Sequence, residues 1–342
     1  MKKRYNCIDL FSGIGGLTLG MHKAGFKTIV AIEKDSNAVV GFKLNHKKTY
    51  VIQNDIRKIK TSEIKKKLKK RPLHLLAGCP PCQGFSSVRT LNGSNVQDQR
   101  NNLIMEFLRF VKAFKPLTIM MENVPGLRNY YLFKQMMKKL HEIGYNPKVE
   151  VVNVKDYGVP QRRKRLVMVG SLLGDIGVAK YTRCNKKTVR DVIGKLEGVK
   201  KTKDPIHKIH AHHSPAILEM IKKIPKNGGS RTDLPARYTL NCHKKRNVGF
   251  VDIYGRLRWD DFSTTITGGC LNPSKGRFLH PTKNRTITAR EAAMLQSFPR
   301  YYKFPKNIAK DSLALLIGNA LPPKFSYIQS VNIRKHIERH LK

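Results

Sequence analysis

The sequence predicts an α/β fold, a doubly wound mixed sheet joined to a smaller irregular domain. Three observations carry this expectation. Short apolar runs alternate with helical patterns along the first half of the chain. Glycine-rich or acidic residues stand at the C-terminal ends of those runs. Beyond about residue 171 the alternation gives way to a basic stretch with weak periodicity.

Residues 5–11 are apolar enough for a short buried strand, and a glycine-rich turn and an amphipathic stretch over 17–24 follow. A second strand is expected over 28–33, a helix from about Ser36, and a third strand ending near Asp55. The runs 73–78 and 117–122 read as further buried strands, with a helical pattern over 103–114 between them. Residues 149–154 and 165–170 read as two more strands, a hairpin pair at one edge, which makes the sheet mixed rather than all-parallel. Residues 180–284 are rich in Lys, Arg, His, Gly and Pro and read as the irregular domain. Helical patterning returns over 288–295 and from about Pro323. The lysine run 65–71 reads as a solvated helix end. The expected boundaries are 1–172 with 285–342 for the sheet domain and 173–284 for the other.

Composition narrows the partners. The chain has 342 residues, 40% of them hydrophobic, which is globular and long enough for a sizeable core. Lys plus Arg is 67 and Asp plus Glu 23, a net +44 that favours a polyanion, most simply nucleic acid. The plainer source of such a charge is lysine decoration of solvated faces. The 6 cysteines are scattered and form no disulfide framework, which favours a reducing compartment. Met1-Lys2-Lys3-Arg4 imitates a signal peptide, but Asp9 and glycines interrupt the apolar stretch. No segment suits a bilayer span. A cytoplasmic protein without membrane association is expected.

Ser12-Gly13-Ile14-Gly15-Gly16 lies between a strand and a helix, where small residues let the backbone approach a ligand. Glu33 ends the next strand and is placed to take the hydroxyls of a ribose, and Asp55 to meet an adenine amino group. The Gly-x-Gly-Gly spacing lacks the pyrophosphate cradle of a dinucleotide site, so an adenosyl ligand without phosphates fits better than NAD. The competing reading is a tight turn and two solvated strand-end acids.

Gly78-Cys79-Pro80-Pro81-Cys82-Gln83-Gly84 follows the fourth apolar run, and its two prolines stiffen the backbone before Cys82. A thiol there is well placed as a nucleophile. The Cys79-x-x-Cys82 spacing also admits a redox or zinc reading, although no second Cys-x-x-Cys pair supplies four ligands. Glu122 ends the following strand, on the same sheet edge, where a carboxyl group can hydrogen-bond or protonate a ring nitrogen. In Gln161-Arg162-Arg163-Lys164-Arg165, Arg163 and Arg165 would share a face if the segment is extended, ready to support the carboxylate or hold a phosphate. The commoner meaning of such a run is a solvated basic loop.

Taken in order, Asp9-Leu10-Phe11-Ser12-Gly13-Ile14-Gly15-Gly16, Pro80-Pro81-Cys82-Gln83, Glu122-Asn123-Val124, Gln161-Arg162-Arg163-Lys164-Arg165, residues 285–299 and Gly318-Asn319-Ala320 resemble the DNA (cytosine-5) methyltransferases across nearly the whole chain. The resemblance implies a Rossmann-like methyltransferase fold and S-adenosylmethionine as cofactor, with S-adenosylhomocysteine as product and no metal. It implies Cys82 as the nucleophile that adds to carbon 6 of a flipped cytosine, Glu122 at ring nitrogen 3, and Arg163 and Arg165 in support. It assigns the cofactor to Phe11, Gly13, Gly15, Gly16, Glu33, Asp55, Ile56, Pro81, Leu103 and Asn319, and leaves Lys34 unassigned because many members carry an apolar or aromatic residue there. Residues 83–100 would form a lid, the irregular domain would recognise the target, and Gln83, Ser86, Gln161 and Thr265 would contact DNA. Histidines 207, 210, 212 and 213 read as exposed side chains rather than metal ligands.

Further expectations are a monomer on double-stranded DNA, of the compact bacterial or phage type, with a cognate restriction endonuclease as a functional partner. A transfer-RNA branch of the family carries a Cys-Phe-Thr segment absent here. A non-catalytic relative is disfavoured by the intact Cys82, Glu122 and arginines, and an NAD oxidoreductase by the glycine spacing.

Overall fold

A computed structural model of the chain describes residues 5–69, 71–81, 102–180, 186–240 and 252–341. They divide into two compact units. Residues 5–69, 71–81, 102–157, 164–180 and 321–341 belong to the first, and 158–163, 186–240 and 252–320 to the second.

The first unit is built on a seven-stranded sheet in the order β3-β2-β1-β4-β5-β7-β6. Its strands are β1 (Tyr5–Leu10), β2 (Phe26–Glu33), β3 (Tyr50–Gln53), β4 (Leu75–Gly78), β5 (Thr118–Asn123), β6 (Lys148–Asn153) and β7 (Lys164–Ser171). The first five run parallel, and β7 is antiparallel to both β5 and β6. Strands β1, β4 and β5 are buried along their whole length, as continuous apolar runs in a covered parallel sheet should be. The mixed α/β sheet expected from the alternation is the one observed, with the hairpin pair at one edge.

Chain order reverses between β1 and β4, since β1 connects onward to β2 on one side and lies against β4 on the other. In doubly wound sheets a crevice opens at the C-terminal ends of strands at such a point. The glycine turn follows β1 and the Cys79–Pro81 segment follows β4, so the topology brings both sequence motifs to this place. The two strands approach closely there. A Cβ on Gly78 would stand 2.9 Å from the Leu10 carbonyl oxygen.

Helices α1 (Gly16–Lys23), α2 (Ser36–Asn45), α3 (Thr61–Leu68), α4 (Leu103–Phe114) and α5 (Tyr131–Glu142) connect the strands. Helix α4 buries Ile104, Phe107, Leu108 and Val111, an i, i+3, i+4, i+7 stripe, with Phe110 beside it, in the core that also holds Leu76, Ile119 and Met121.

Between units, the structure departs from the expected boundaries. Residues 285–320 group with the second unit rather than with the sheet. The cause is local pairing. The Ile287 N–H donates to the Phe278 carbonyl and the Ala289 N–H to the Ile209 carbonyl, and Arg290 binds Asp204 at 2.6 Å. In turn, residues 173–180 stay with the first unit, where the buried Gln329 side chain accepts the Ala179 N–H.

The second unit contains α6 (Val189–Ile193), α7 (Pro215–Lys223), α8 (Ala289–Leu295) and α9 (Lys310–Asn319), and α10 (Pro323–His340) returns to the first. Strand pairing in the second unit is confined to isolated bridges among the described residues. Buried polar groups organise it instead. Arg256 is fully buried and donates to the carbonyls of Ile221, Ile224, His280 and Lys283. Among the described residues no helix is long and apolar enough to cross a membrane.

Candidate active site and cofactor turn

The turn after β1 needs unusual backbone geometry. Phe11, Gly13 and Gly15 have φ of 59°, 53° and 92°, so a non-glycine residue is held left-handed beside two glycines. The turn is tied to β2 by the Ser12 N–H, which donates to the Ile32 carbonyl. A Cβ on Gly13 would meet nothing within 4 Å, so the turn leaves open space in front of it.

Glu33 closes the turn. Its Oε2 accepts the Gly13 N–H at 2.7 Å, and its Oε1 accepts the N–H groups of Lys34 and Asp35 at 2.8 and 2.9 Å. A carboxylate has about four acceptor positions. One on Oε2 therefore remains for a ligand hydroxyl. The residues fit an adenosyl ligand: room beside a glycine, a carboxylate with spare acceptor capacity, and the buried Ile56 near the next strand end.

Asp55 stands differently from expectation. Its Oδ1 accepts from the N–H and Nε of Arg57, and its Oδ2 from Arg57 Nη2 at 2.6 Å and Lys34 Nζ at 3.4 Å. Hydrogen bonding from Arg57 holds the carboxyl well below the usual carboxylate range. All its acceptor positions are engaged, so an adenine amino group must compete with a side chain already there. Pro81 and Leu103 are half-buried, the latter at the start of α4.

The carboxylate expected at the end of the fifth strand stands at that position. Glu122 is buried near the end of β5, and its Oε1 lies 2.8 Å from Arg165 Nε. Burial draws the Arg165 guanidinium below its ordinary value, and the Glu122 charge opposes that. Sequence reasoning missed the next residue. The Asn123 amide donates to the Pro80 carbonyl at 3.0 Å and so ties the exit of β4 to the end of β5. Its signal was present, a polar residue at the end of a buried strand beside Glu122. Asp9, to which the sequence assigns no role in the site, is fully buried and accepts the Thr18 hydroxyl at 2.5 Å, anchoring α1 under the turn.

Cys82, Gln83, Ser86 and the expected lid lie outside the described residues.

Five expectations fall in the second unit, at Gln161, Arg163, Thr265, Asn319 and His207. Gln161, expected to touch DNA, is fully buried, and its amide is used by Ile266, Gln296 and Leu295. Arg163, expected to share a catalytic face with Arg165, is buried and donates from Nη1 to the Ile266 carbonyl at 2.9 Å, so the two guanidiniums serve different partners. The reason is that β7 begins only at Lys164, and Arg163 belongs to the other unit. Thr265 is half-buried and donates its hydroxyl to the Arg162 carbonyl at 2.7 Å, and Asn319 is exposed at the end of α9. Of the histidines expected to be exposed, His207 is instead buried between the Thr288 hydroxyl and the Glu197 carbonyl. No metal-binding group of three or more His, Cys, Asp or Glu occurs among the described residues.

A sheet in this order, with a glycine turn after β1, a carboxylate ending β2 and a buried Glu–Arg pair joining β5 to β7, defines the class of Rossmann-like methyltransferases. The chain belongs to the C-5 cytosine-specific DNA methylases, whose family model matches residues 5–334, and it is a DNA (cytosine-5)-methyltransferase. The family uses S-adenosylmethionine. The chain is 34% identical to the Type II methylase M.HgiDII of Herpetosiphon aurantiacus, over 97% of this chain and 95% of that protein. It is 32% identical to the Type II methyltransferase M1.HphI of Haemophilus parahaemolyticus, over 92% and 83%. Among solved structures it is similar to one described as a DNA modification methyltransferase encoded within an Escherichia coli prophage, with TM-score 0.69, 26% identity and coverage of 98% and 99%.

Proposed function

We propose that this enzyme methylates carbon 5 of a cytosine flipped out of duplex DNA, in one short sequence context, through a covalent adduct with Cys82. The observation that carries this reading is the buried Glu122–Arg165 pair at the sheet end where the Cys79–Pro81 segment emerges. Cytosine carbon 5 is a weak nucleophile, and thiolate addition at carbon 6 makes the ring an enamine. Glu122 holds ring nitrogen 3 and supplies it a proton as the Cys82 sulfur bonds to carbon 6. Arg165 fixes the orientation of that carboxyl group. When bound, S-adenosylmethionine supplies an electrophilic methyl group for carbon 5. Loss of the carbon-5 proton, expulsion of the Cys82 thiolate and return of the nitrogen-3 proton restore the aromatic ring.

Phe11, Gly13, Gly15, Gly16, Glu33, Asp55, Ile56, Pro81, Leu103 and Asn319 are assigned to the cofactor, without a metal. Cys82, Gln83, Ser86 and Thr265 are assigned to the flipped nucleotide and its neighbours, and Gln161 and Arg163 to positioning rather than contact. Residues 185–284 are assigned to target recognition, with most lysines and arginines gripping phosphates. The enzyme acts as a monomer in the cytoplasm and protects its sites from a restriction endonuclease.

Bisulfite sequencing of host DNA after expression, beside a Cys82→Ala control, tests the reading. Methylated cytosine in one context that vanishes in the control is expected. Its absence from DNA, or its survival in the control, overturns the reading.

A further inference from the structure

Gln161 and Gln296 are both fully buried in the second unit, and their amides form a chain with one polarity. The Ile266 N–H donates to Gln161 Oε1 at 2.9 Å, and Gln161 Nε2 donates to Gln296 Oε1 at 2.8 Å. Gln296 Nε2 then donates to the carbonyls of Ile317, Gly318 and Ala320, at 2.8, 3.3 and 3.3 Å. The same two segments meet a second time by direct backbone contact. A Cβ on Gly318 would stand 2.1 Å from the Thr267 carbonyl carbon and 2.3 Å from the Gly268 nitrogen, which only a glycine permits.

One end of this chain is the residue after Thr265, and the other surrounds Asn319 on both sides. We propose that Gln161 and Gln296 are positioning residues that couple the target-base segment to the cofactor segment, so that occupation of either strengthens binding at the other. The proposal rests on the assignment of Thr265 to the target nucleotide and Asn319 to the cofactor.

The physical argument is that neither end can shift alone. A buried amide that loses a partner bears the full desolvation cost of that group, so displacement of the 317–320 turn must be followed by Gln296, then Gln161, then the Ile266 backbone. Aligned hydrogen bonds also polarise one another, which makes the chain act as a unit. Such coupling is reciprocal: the factor by which cofactor tightens DNA equals the factor by which DNA tightens cofactor.

The test uses the full chain, S-adenosylhomocysteine and a short duplex carrying the context returned by bisulfite sequencing. In the wild type, calorimetry should show S-adenosylhomocysteine binding about tenfold tighter with the duplex present, within the usual range of such couplings. Gln161→Glu keeps the acceptor for Ile266 but places a carboxylate against Gln296 Oε1, and the factor should fall to about twofold. Gln161→Met, which removes both functions, should do the same. A folded Gln161→Glu or Gln161→Met protein with the wild-type factor overturns the proposal. If those variants do not fold, the wild type decides alone: amide-resolved exchange at Ile266 should slow about tenfold on adding S-adenosylhomocysteine, and an unchanged rate overturns the proposal. Thr265→Ala and Asn319→Ala separate the underlying assignment. If each leaves both affinities unchanged, that assignment fails and the coupling falls with it. If they act and the Gln161 variants do not, only the coupling is wrong.

Discussion

The carboxylate of Glu122 and the guanidinium of Arg165 meet at 2.8 Å across two antiparallel strands. Their placement follows from register. Glu122 stands opposite Val167, and Arg165 is two residues along β7 from Val167, hence on the same face and diagonal to Glu122. Both side chains are largely shielded, at 9% and 14% exposure, so the attraction is weakly screened and each needs the other. Glu122→Gln should lower methyl transfer at least about a hundredfold, the usual loss for a general acid, and leave S-adenosylhomocysteine binding unchanged. Arg165→Ala should cost about 3 kcal/mol of stability by stranding a buried carboxylate, read by urea denaturation. Wild-type turnover in Glu122→Gln would remove the carboxyl from the chemistry.

Asp9 should make the apo protein less stable as pH rises. Burial pushes its carboxyl up to about 7, opposed by the Thr18 hydroxyl, and its Oδ1 has no hydrogen-bond partner among the described residues. The folded value lies above the unfolded value of about 3.9. The neutral acid's stabilisation is therefore full below pH about 4 and is lost as pH rises to about 7, by at most about 1.4 kcal/mol per unit. Asp9→Asn has no charged form. Its melting temperature relative to wild type should rise between pH 4 and 7 and level off above. A difference that stays constant with pH would show that Asp9 is not buried as an acid.

Much of this was legible in sequence, and what was not has physical causes. Buried parallel strands leave apolar runs, so β1, β2, β4 and β5 were readable within about two residues, and with them the strand-end positions of Glu33 and Glu122. The second unit has no such period. Its order comes from single polar side chains, Arg256 on carbonyls and Gln161 on Gln296, and an Arg or Gln destined for burial looks in sequence like one destined for a phosphate. The resemblance therefore implies a DNA contact for Gln161, and the returning helical pattern assigns 285–320 to the sheet, where burial and local pairing place both in the second unit. Family resemblance supplied the chemistry, while geometry showed that Asp55 is already engaged by Arg57 and Lys34.

Gly20 is required by packing rather than by its backbone. It lies within α1 against α10, and a Cβ there would stand 2.3 Å from Ser326 Oγ and 2.5 Å from the Tyr327 nitrogen. The Ser326 hydroxyl cannot move away freely because it donates to the Leu17 carbonyl at 2.7 Å. Alanine favours a helix over glycine by about 1 kcal/mol, but forcing atoms into a closed contact costs about 1–3 kcal/mol or more. Gly20→Ala should therefore destabilise the protein by about 2 kcal/mol net in denaturant unfolding, with no change in charge-dependent behaviour. A stabilised variant would mean that the two helices separate easily.

Lys34 pairs with the carboxylate that the proposed cofactor assignment also uses. Its side chain is 72% exposed, and its ammonium, 3.4 Å from Asp55 Oδ2, occupies an acceptor position that the proposed adenine amino group needs. Exposed pairs of this kind are weak and salt-screened, so the competition is modest. Its aliphatic stem can at the same time cover an aromatic ring. The two roles separate by substitution. Lys34→Met keeps an apolar stem and removes the competing charge, and should tighten S-adenosylhomocysteine about threefold at low salt, with the gain shrinking as salt rises and wild-type competition is screened. Lys34→Ala removes both, and should bind more weakly than Lys34→Met at every salt concentration. Calorimetric titration at two salt concentrations checks both. Equal affinities for wild type, Lys34→Met and Lys34→Ala would place the adenine away from Asp55 and Lys34 altogether.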